Sequence, residues 1–197
     1  PPRGAEATVA RYAAVRAATV ALAAPLSPED AMLQSMEDAS PAKWHLGHTT
    51  WFFEHFVLGA SGVEPLQPQW HYLFNSYYES AGPRQPRPRR GLLSRPSLAA
   101  VLAWREAVDA RMLRALKTGA LDALQLRRLE LGLHHEQQHQ ELLLTDIKHG
   151  LWSQPLRPPY RTDLPDPALV PVAAAAPRWH EAGGQVVRIG APAWPGA

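Results

Sequence analysis

The stretch GLHHEQQHQELLLTDIKHG, residues 132–150, has the composition of a long helix and carries three histidines within six positions. Each residue of an α-helix advances by about 100°, so His135 and His139 lie about 40° apart on one face. The same projection adds leucines to that face, which predicts that it points into the protein: Leu124, Leu131 and Leu142. Imidazoles in an apolar face need hydrogen bonds or a metal ion on their nitrogens. Both readings stay open at this point.

A second group of histidines lies in PAKWHLGHTTWFFEHFVL, residues 41–58. A helical projection gives this segment one aromatic stripe, with His48 near its centre and His45 toward its edge: Trp44, His48, Trp51, Phe52 and His55. Aromatic stripes at helical spacing are usually ordinary core. His48 is the exception, because an imidazole facing the interior can be a third metal ligand.

Three neutral histidines from two helices, in a chain without cysteine, predict a site for a borderline divalent ion with open coordination positions. Zinc and iron(II) both fit such a site. The letters HEQQH also match the HExxH pattern of zinc peptidases, whose glutamate is a general base. Glu136 projects about 100° from His135, however, and no further ligand motif follows. The peptidase interpretation is therefore not favoured.

Helix start and stop signals predict an α-helical bundle. Ser27 and Ser40 each precede a proline, a typical first helical residue. Ser97 is suited to capping a later helix that Thr118 and Gly119 end, and Asp122 is expected in the first turn of the last helix. Gly150 is the expected end of the last helix. The predicted elements are helices over 5–24, from Ser27, over 41–58, 98–117 and 121–149, a long loop over 63–96, and a strand over 185–190.

Composition excludes several classes of protein. A net charge of only +2 is weak support for nucleic-acid binding, and we expect none. The absence of cysteine excludes disulfides and zinc–thiolate sites and fits a reducing compartment. The alanine-rich run from Ala17 to Pro25 is too short to cross a bilayer. We therefore expect a soluble, cytoplasmic protein without a membrane partner.

Three blocks of sequence resemble the signature blocks of the EgtB-type sulfoxide synthases of ergothioneine biosynthesis. Their order and separations also agree with that family, over about residues 10–155. The blocks are SPAKWHLGHTTWFFEHFVL (40–58), YLFNSYYESAGPRQPRPRRGLLSRPS (72–97) and HHEQQHQELLLTDIKH (134–149).

The resemblance implies a DinB-like four-helix bundle over residues 1–155 that holds a mononuclear non-haem iron(II). Carried over by motif position, its ligands are His48, His135 and His139. Family enzymes use dioxygen to join a thiol, γ-glutamylcysteine or cysteine, to the imidazole of hercynine (Nα-trimethylhistidine), and they release a sulfoxide. The three histidines implied by the resemblance are the same three that the helical projection selects.

The resemblance also implies substrate-binding residues. Gln138 matches a glutamine that contacts hercynine, and we expect Arg87 and Arg90 to hold the carboxylate of the thiol substrate. Without the resemblance, the arginine-rich segment PRQPRPRRGLLSRP, residues 83–96, would be interpreted as a solvated loop. Tyr77 and Tyr78 are expected to line the substrate cavity formed by these residues or to pack beside it.

Family members carry a second domain of the formylglycine-generating-enzyme type, which supplies a catalytic tyrosine acid. RWHEAGGQVVRIGAPAWPGA, residues 178–197, resembles the first strand of that domain. We therefore expect residues 156–197 to be a proline-rich linker and the truncated start of this domain, and we expect no catalytic acid within the chain. A missing C-terminal domain or a second polypeptide would supply it. Two alternatives remain: a stand-alone DinB-type, metal-dependent thiol transferase and a non-catalytic metal-binding module.

Overall fold

A computed structural model describes residues 3–76, 82–163 and isolated positions between 176 and 190. Its longer helices are α1 (Arg3–Ala23), α2 (Ala42–Phe52), α4 (Leu98–Thr118) and α5 (Ala123–Ser153), and a single turn forms α3 (His71–Phe74). A π-helix, Phe53–Leu58, continues α2. Short 3₁₀ segments cover Asp30–Met32, Gly59–Ser61, Pro68–Trp70 and Arg87–Leu92. In these described ranges no strand occurs, which confirms the all-α class.

The four longer helices form a bundle in which α1 and α2 each pack against both α4 and α5. Aromatic side chains from α2 and the π-helix fill much of the core between them, including Trp44, Trp51, Phe52 and Phe53. Because α2 is buried along its whole length, its histidines are inside the protein as well. The expected helical bundle is thereby confirmed.

The starts of α4 and α5 are both capped by side chains, and the Ser97 cap was predicted. The Ser97 side chain accepts a hydrogen bond from the backbone N–H of Ala100 at the start of α4. Asp122 and Gln125 form a reciprocal capping box at the start of α5, which satisfies two N–H groups of the first turn. Gly119 ends α4 in the left-handed conformation that glycine adopts without strain.

Three local predictions were wrong. Ser27 begins only a short turn, and the 63–96 segment contains short helices rather than continuous loop. Gly150 does not end α5, which continues to Ser153. It lies instead in the helix interior, where a Cβ would come within 2.7 Å of the Leu33 side chain. Close packing, and not a helix stop, requires glycine at this position.

The buried face of α5 differs from the predicted one. Leu124, Leu131 and Leu142 are 46%, 60% and 39% exposed. The core face is instead made by a neighbouring stripe: Leu129, Leu133, Glu136, Leu143 and Ile147. The projection failed because a charged residue stands at the centre of the true core face. His135 and His139 consequently lie at the border of the core rather than deep within a leucine layer.

Glu136 is fully buried in a cluster of charged groups at the centre of the bundle. Its carboxylate accepts hydrogen bonds from Arg16 (2.8 Å), Thr19 and Arg105. Burial alone would raise the pKa of Glu136, but the two guanidinium groups lower it overall, so the carboxylate is ionised. The cluster ties α1, α4 and α5 together.

The chain divides into two compact units, Pro1–Thr162 and Asp163–Ala197. The first contains all the helices given above. The strand predicted over 185–190 falls largely outside the described residues, as do Tyr77 and Tyr78. The domain boundary predicted at residue 155 and the cytoplasmic location stay predictions. None of the helices in the described ranges has the length and apolar character needed to cross a membrane.

Candidate metal centre

His48 is buried on α2, and a backbone carbonyl fixes the orientation of its ring. Its Nδ1 lies 2.6 Å from the carbonyl oxygen of Phe74 in α3. A carbonyl only accepts hydrogen bonds, so Nδ1 carries the proton and Nε2 presents a lone pair. The Trp44 ring stacks on the imidazole at 4.6 Å and prevents it from tilting.

His135 and His139 follow each other by one turn on α5, with ring centroids 4.6 Å apart. The Nε2 atoms of His48 and His135 are 3.1 Å apart. One nitrogen from each of the three rings lies within 4.8 Å of the other two. The structure therefore brings together the three residues predicted as ligands, and this cluster can hold a metal ion.

The spacing of the nitrogens in the cluster fits a metal ion. Two nitrogens bonded to one ion at about 2.1 Å and at right angles are about 3 Å apart, which is the observed separation of the two Nε2 atoms. His135 Nδ1 is buried without a hydrogen-bond partner among the described residues, but it is not the nitrogen that faces His48. An ion shared by the two Nε2 atoms would not satisfy it, so the spacing of the nitrogens, and not this atom, fits a metal ion.

Burial keeps all three imidazoles neutral, which is the form that binds metals. Desolvation lowers the pKa of His135 to about 4 and lowers the pKa of His48 well below its usual range. The pKa of His139 is lowered too, first by burial and then by the neighbouring histidines. A cation would have no proton to displace from these lone pairs at neutral pH.

Next to His139 lies a pair of polar groups, of which His45 is buried and Asp146 is partly exposed. His45, 2% exposed, has its Nδ1 2.9 Å from Nδ1 of His139. Its Nε2 lies 3.0 Å from Oδ2 of Asp146, which is two turns beyond His139 on α5. Sequence reasoning placed His45 at the edge of the aromatic stripe and missed Asp146. The sequence did contain a signal for Asp146: it follows His139 by seven residues, which places it on the same face of the helix.

The histidine cluster opens into a cavity of about 520 Å³. Its wall includes the three residues that were predicted to bind substrate: Gln138, Arg87 and Arg90. Leu142 lies on the same wall, which explains why this leucine is not part of the core. A second cavity of about 350 Å³ adjoins it and shares Arg87 and Arg90.

The two arginines are held differently. Arg90 is buried, its guanidinium lies 3.4 Å from the centre of the Trp44 ring, and it donates hydrogen bonds to Ser40 and Ser76. Such stacking holds a cation in a fixed place. Arg87 is half-buried and donates to the carbonyl of Asp38 at 3.4 Å. Arg90 is therefore a fixed positive charge on the cavity wall.

Glu136, although adjacent to His135, points away from the cavity and into the centre of the bundle. All of its described hydrogen bonds are with the central charged cluster, and it does not line the cavity. A general base of the HExxH type must face the metal and its water. The geometry therefore disagrees with a peptidase site.

Comparison with known proteins agrees with this architecture. A search of curated proteins found no match. A family model described as DinB superfamily matches residues 11–143, more than half of the chain. That range includes all three clustered histidines, the whole of α2 and α4 and most of α1 and α5. The chain belongs to the DinB superfamily.

Proposed function

We propose that this chain is the iron-binding part of a hercynine sulfoxide synthase. In this reaction the imidazole C–H bond of hercynine and the S–H bond of a thiol break, and a C–S bond forms. One atom of dioxygen is added to the sulfur and the other leaves as water. The observation that carries the proposal is the convergence of three neutral histidines at the base of a cavity whose wall carries a fixed arginine.

The metal would be held by His48, His135 and His139, with positions left for ligands on the cavity side. When bound, iron(II) would supply a template for the thiolate and the imidazole and a site for the reduction of dioxygen. The protein contributes rigid imidazoles and a partly buried cavity that limits access of water. Both features favour a defined arrangement of two small substrates.

The charges of the cavity suit the proposed substrates. Arg90, held against Trp44, offers a planar pair of donors that matches a carboxylate of γ-glutamylcysteine or cysteine, with Arg87 beside it. Gln138 is exposed on the same wall, one residue before His139, and its amide can contact hercynine. We propose that the tyrosine acid of the reaction comes from a second domain or polypeptide.

The test is an anaerobic titration of the iron(II)-loaded protein with hercynine. The electron paramagnetic resonance spectrum of its nitric oxide adduct reports on the ligands of the iron. We expect a saturable spectral change with hercynine and a weaker response to histidine, which lacks the trimethylammonium group. Gln138→Ala should weaken the response, whereas Gln137→Ala, on the exposed side of the same turn, should not. Absence of any response in the iron-loaded protein would refute the proposal.

The family assignment favours one further candidate, a metal-dependent thiol transferase. Such an enzyme would need the bundle and a zinc or nickel ion, and it would not need a site for hercynine. Thiol transfer by the zinc-loaded protein, together with an iron spectrum that ignores hercynine, would support this candidate. Metal binding without either activity would support a non-catalytic module.

A further inference from the structure

The three clustered histidines are anchored in different ways. The Phe74 carbonyl fixes the ring of His48, and Nδ1 of His135 has no described partner. His139 alone is backed by a second imidazole, that of His45, which in turn contacts a carboxylate. This series of contacts runs from His139 on α5 to His45 on α2 and back to Asp146 on α5.

The donor and the acceptor of each hydrogen bond in this series follow from Asp146. The Asp146 carboxylate oxygen accepts a hydrogen bond from the backbone N–H of Ser40 at 2.9 Å, so it is an acceptor here. Nε2 of His45 must then donate to the same oxygen, which leaves Nδ1 of His45 as an acceptor. Nδ1 of His139 donates to it. The remaining nitrogen of His139, Nε2, consequently presents its lone pair.

We propose that His45 and Asp146 are positioning residues that hold His139 in one tautomer and one orientation for metal binding. The inference rests on the metal site proposed above but not on the identity of the substrate. Metal-bound histidines commonly donate their second N–H to an acceptor, and loss of such a partner typically weakens metal binding about 10- to 100-fold. Here the acceptor is itself a histidine, oriented by the acid.

The burial of His45 supports a specific role. Its side chain is 3% exposed and that of Asp146 is 14% exposed, so both contacts are largely shielded from solvent although the two residues line the cavity. A buried imidazole with both nitrogens engaged has a single allowed orientation. Its hydrogen bonds go to a candidate ligand on one side and to α5 on the other, which links the geometry of the site to the packing of α2 on α5.

Two substitutions of His45 separate hydrogen bonding from packing. His45→Phe keeps an aromatic ring but removes both nitrogens. His45→Gln keeps one donor and one acceptor, so its amide can bridge Asp146 and His139 with the same polarity. His134→Gln is the control, because His134 lies on α5, the helix of His139, is 61% exposed, and pairs with Glu130 outside the cavity.

The readouts are metal affinity, measured by competition with a chromophoric chelator, and the visible spectrum of the cobalt(II)-loaded protein. We expect His45→Phe to bind metal about 10- to 100-fold more weakly with an altered spectrum. His45→Gln should recover most of the affinity, and His134→Gln should match the unsubstituted protein. Unfolding of the metal-free variants shows whether each remains folded.

Wild-type affinity and an unchanged spectrum in His45→Phe would overturn the inference, and so would equal losses in His45→Phe and His45→Gln. If the unsubstituted protein bound no metal, the site itself would be refuted and this inference with it. Metal binding that depends on His45, with no response to hercynine, would leave the inference standing and refute only the proposed substrate.

Discussion

Glu136→Gln separates the two roles that the HEQQH sequence suggests for its glutamate. The substitution removes a fully buried charge that faces Arg16 and Arg105. Breaking a buried ion pair on one side typically costs about 3–5 kcal/mol, since the remaining charges lose their compensation. Asp109 still pairs with Arg16, so we expect the lower end of that range. For a domain of this size, this corresponds to a fall in Tm of roughly 6–12 °C.

The assay is thermal and urea unfolding of the metal-free protein, followed by metal titration of the folded variant. We expect the free energy of unfolding to fall by about 3 kcal/mol while metal affinity stays within about threefold of the unsubstituted protein. Glu141→Gln, an exposed position on the same helix, serves as the control and should change neither quantity. Unchanged stability combined with lost metal binding or lost hydrolytic activity would refute the assignment of Glu136 to the core.

Three further predictions follow from the same geometry. The free energy of unfolding of the metal-free protein should fall as the pH decreases from about 6.5 to about 4. Burial lowers the pKa of His135 to about 4, so the unfolded state binds the proton at a higher pH than the folded state does. A free energy of urea unfolding that does not change over this pH range would contradict this. Gly47→Ala should weaken both stability and metal affinity in unfolding and chelator assays, since its Cβ would overlap the Phe74 ring, whose backbone orients His48. Lys43→Met should destabilise the protein by about 1–3 kcal/mol, because the buried ammonium donates to two loop carbonyls, and unchanged urea unfolding would refute that role.

Local signals in the sequence were sufficient to predict most helix ends. Ser97 and Gly119 act at the ends of α4 as expected, because capping depends on residues within one turn. Asp122 was expected in the first turn of α5 and caps it instead. The pairing of His135 with His139 follows from helical periodicity alone. The position of His48 relative to that pair depends on packing between α2 and α5. The aromatic stripe was sufficient to predict that His48 faces the interior.

Other features depend on contacts between distant segments and were not predictable from local patterns. The leucines beside His135 suggested the wrong core face, because the charged network around Glu136 replaces apolar residues at the bundle centre. Gly150 was expected to stop α5, but it accommodates Leu33 from another part of the chain. His45 and Asp146 are 101 residues apart, so their contact could not be read from either motif.

The central claim is that three histidines from two helices share one metal ion. Its most direct test is metal analysis of protein prepared without oxygen and loaded with iron(II), beside His135→Ala treated in the same way. We predict one iron per chain in the unsubstituted protein and none retained by the variant. Equal iron in both proteins would contradict the account.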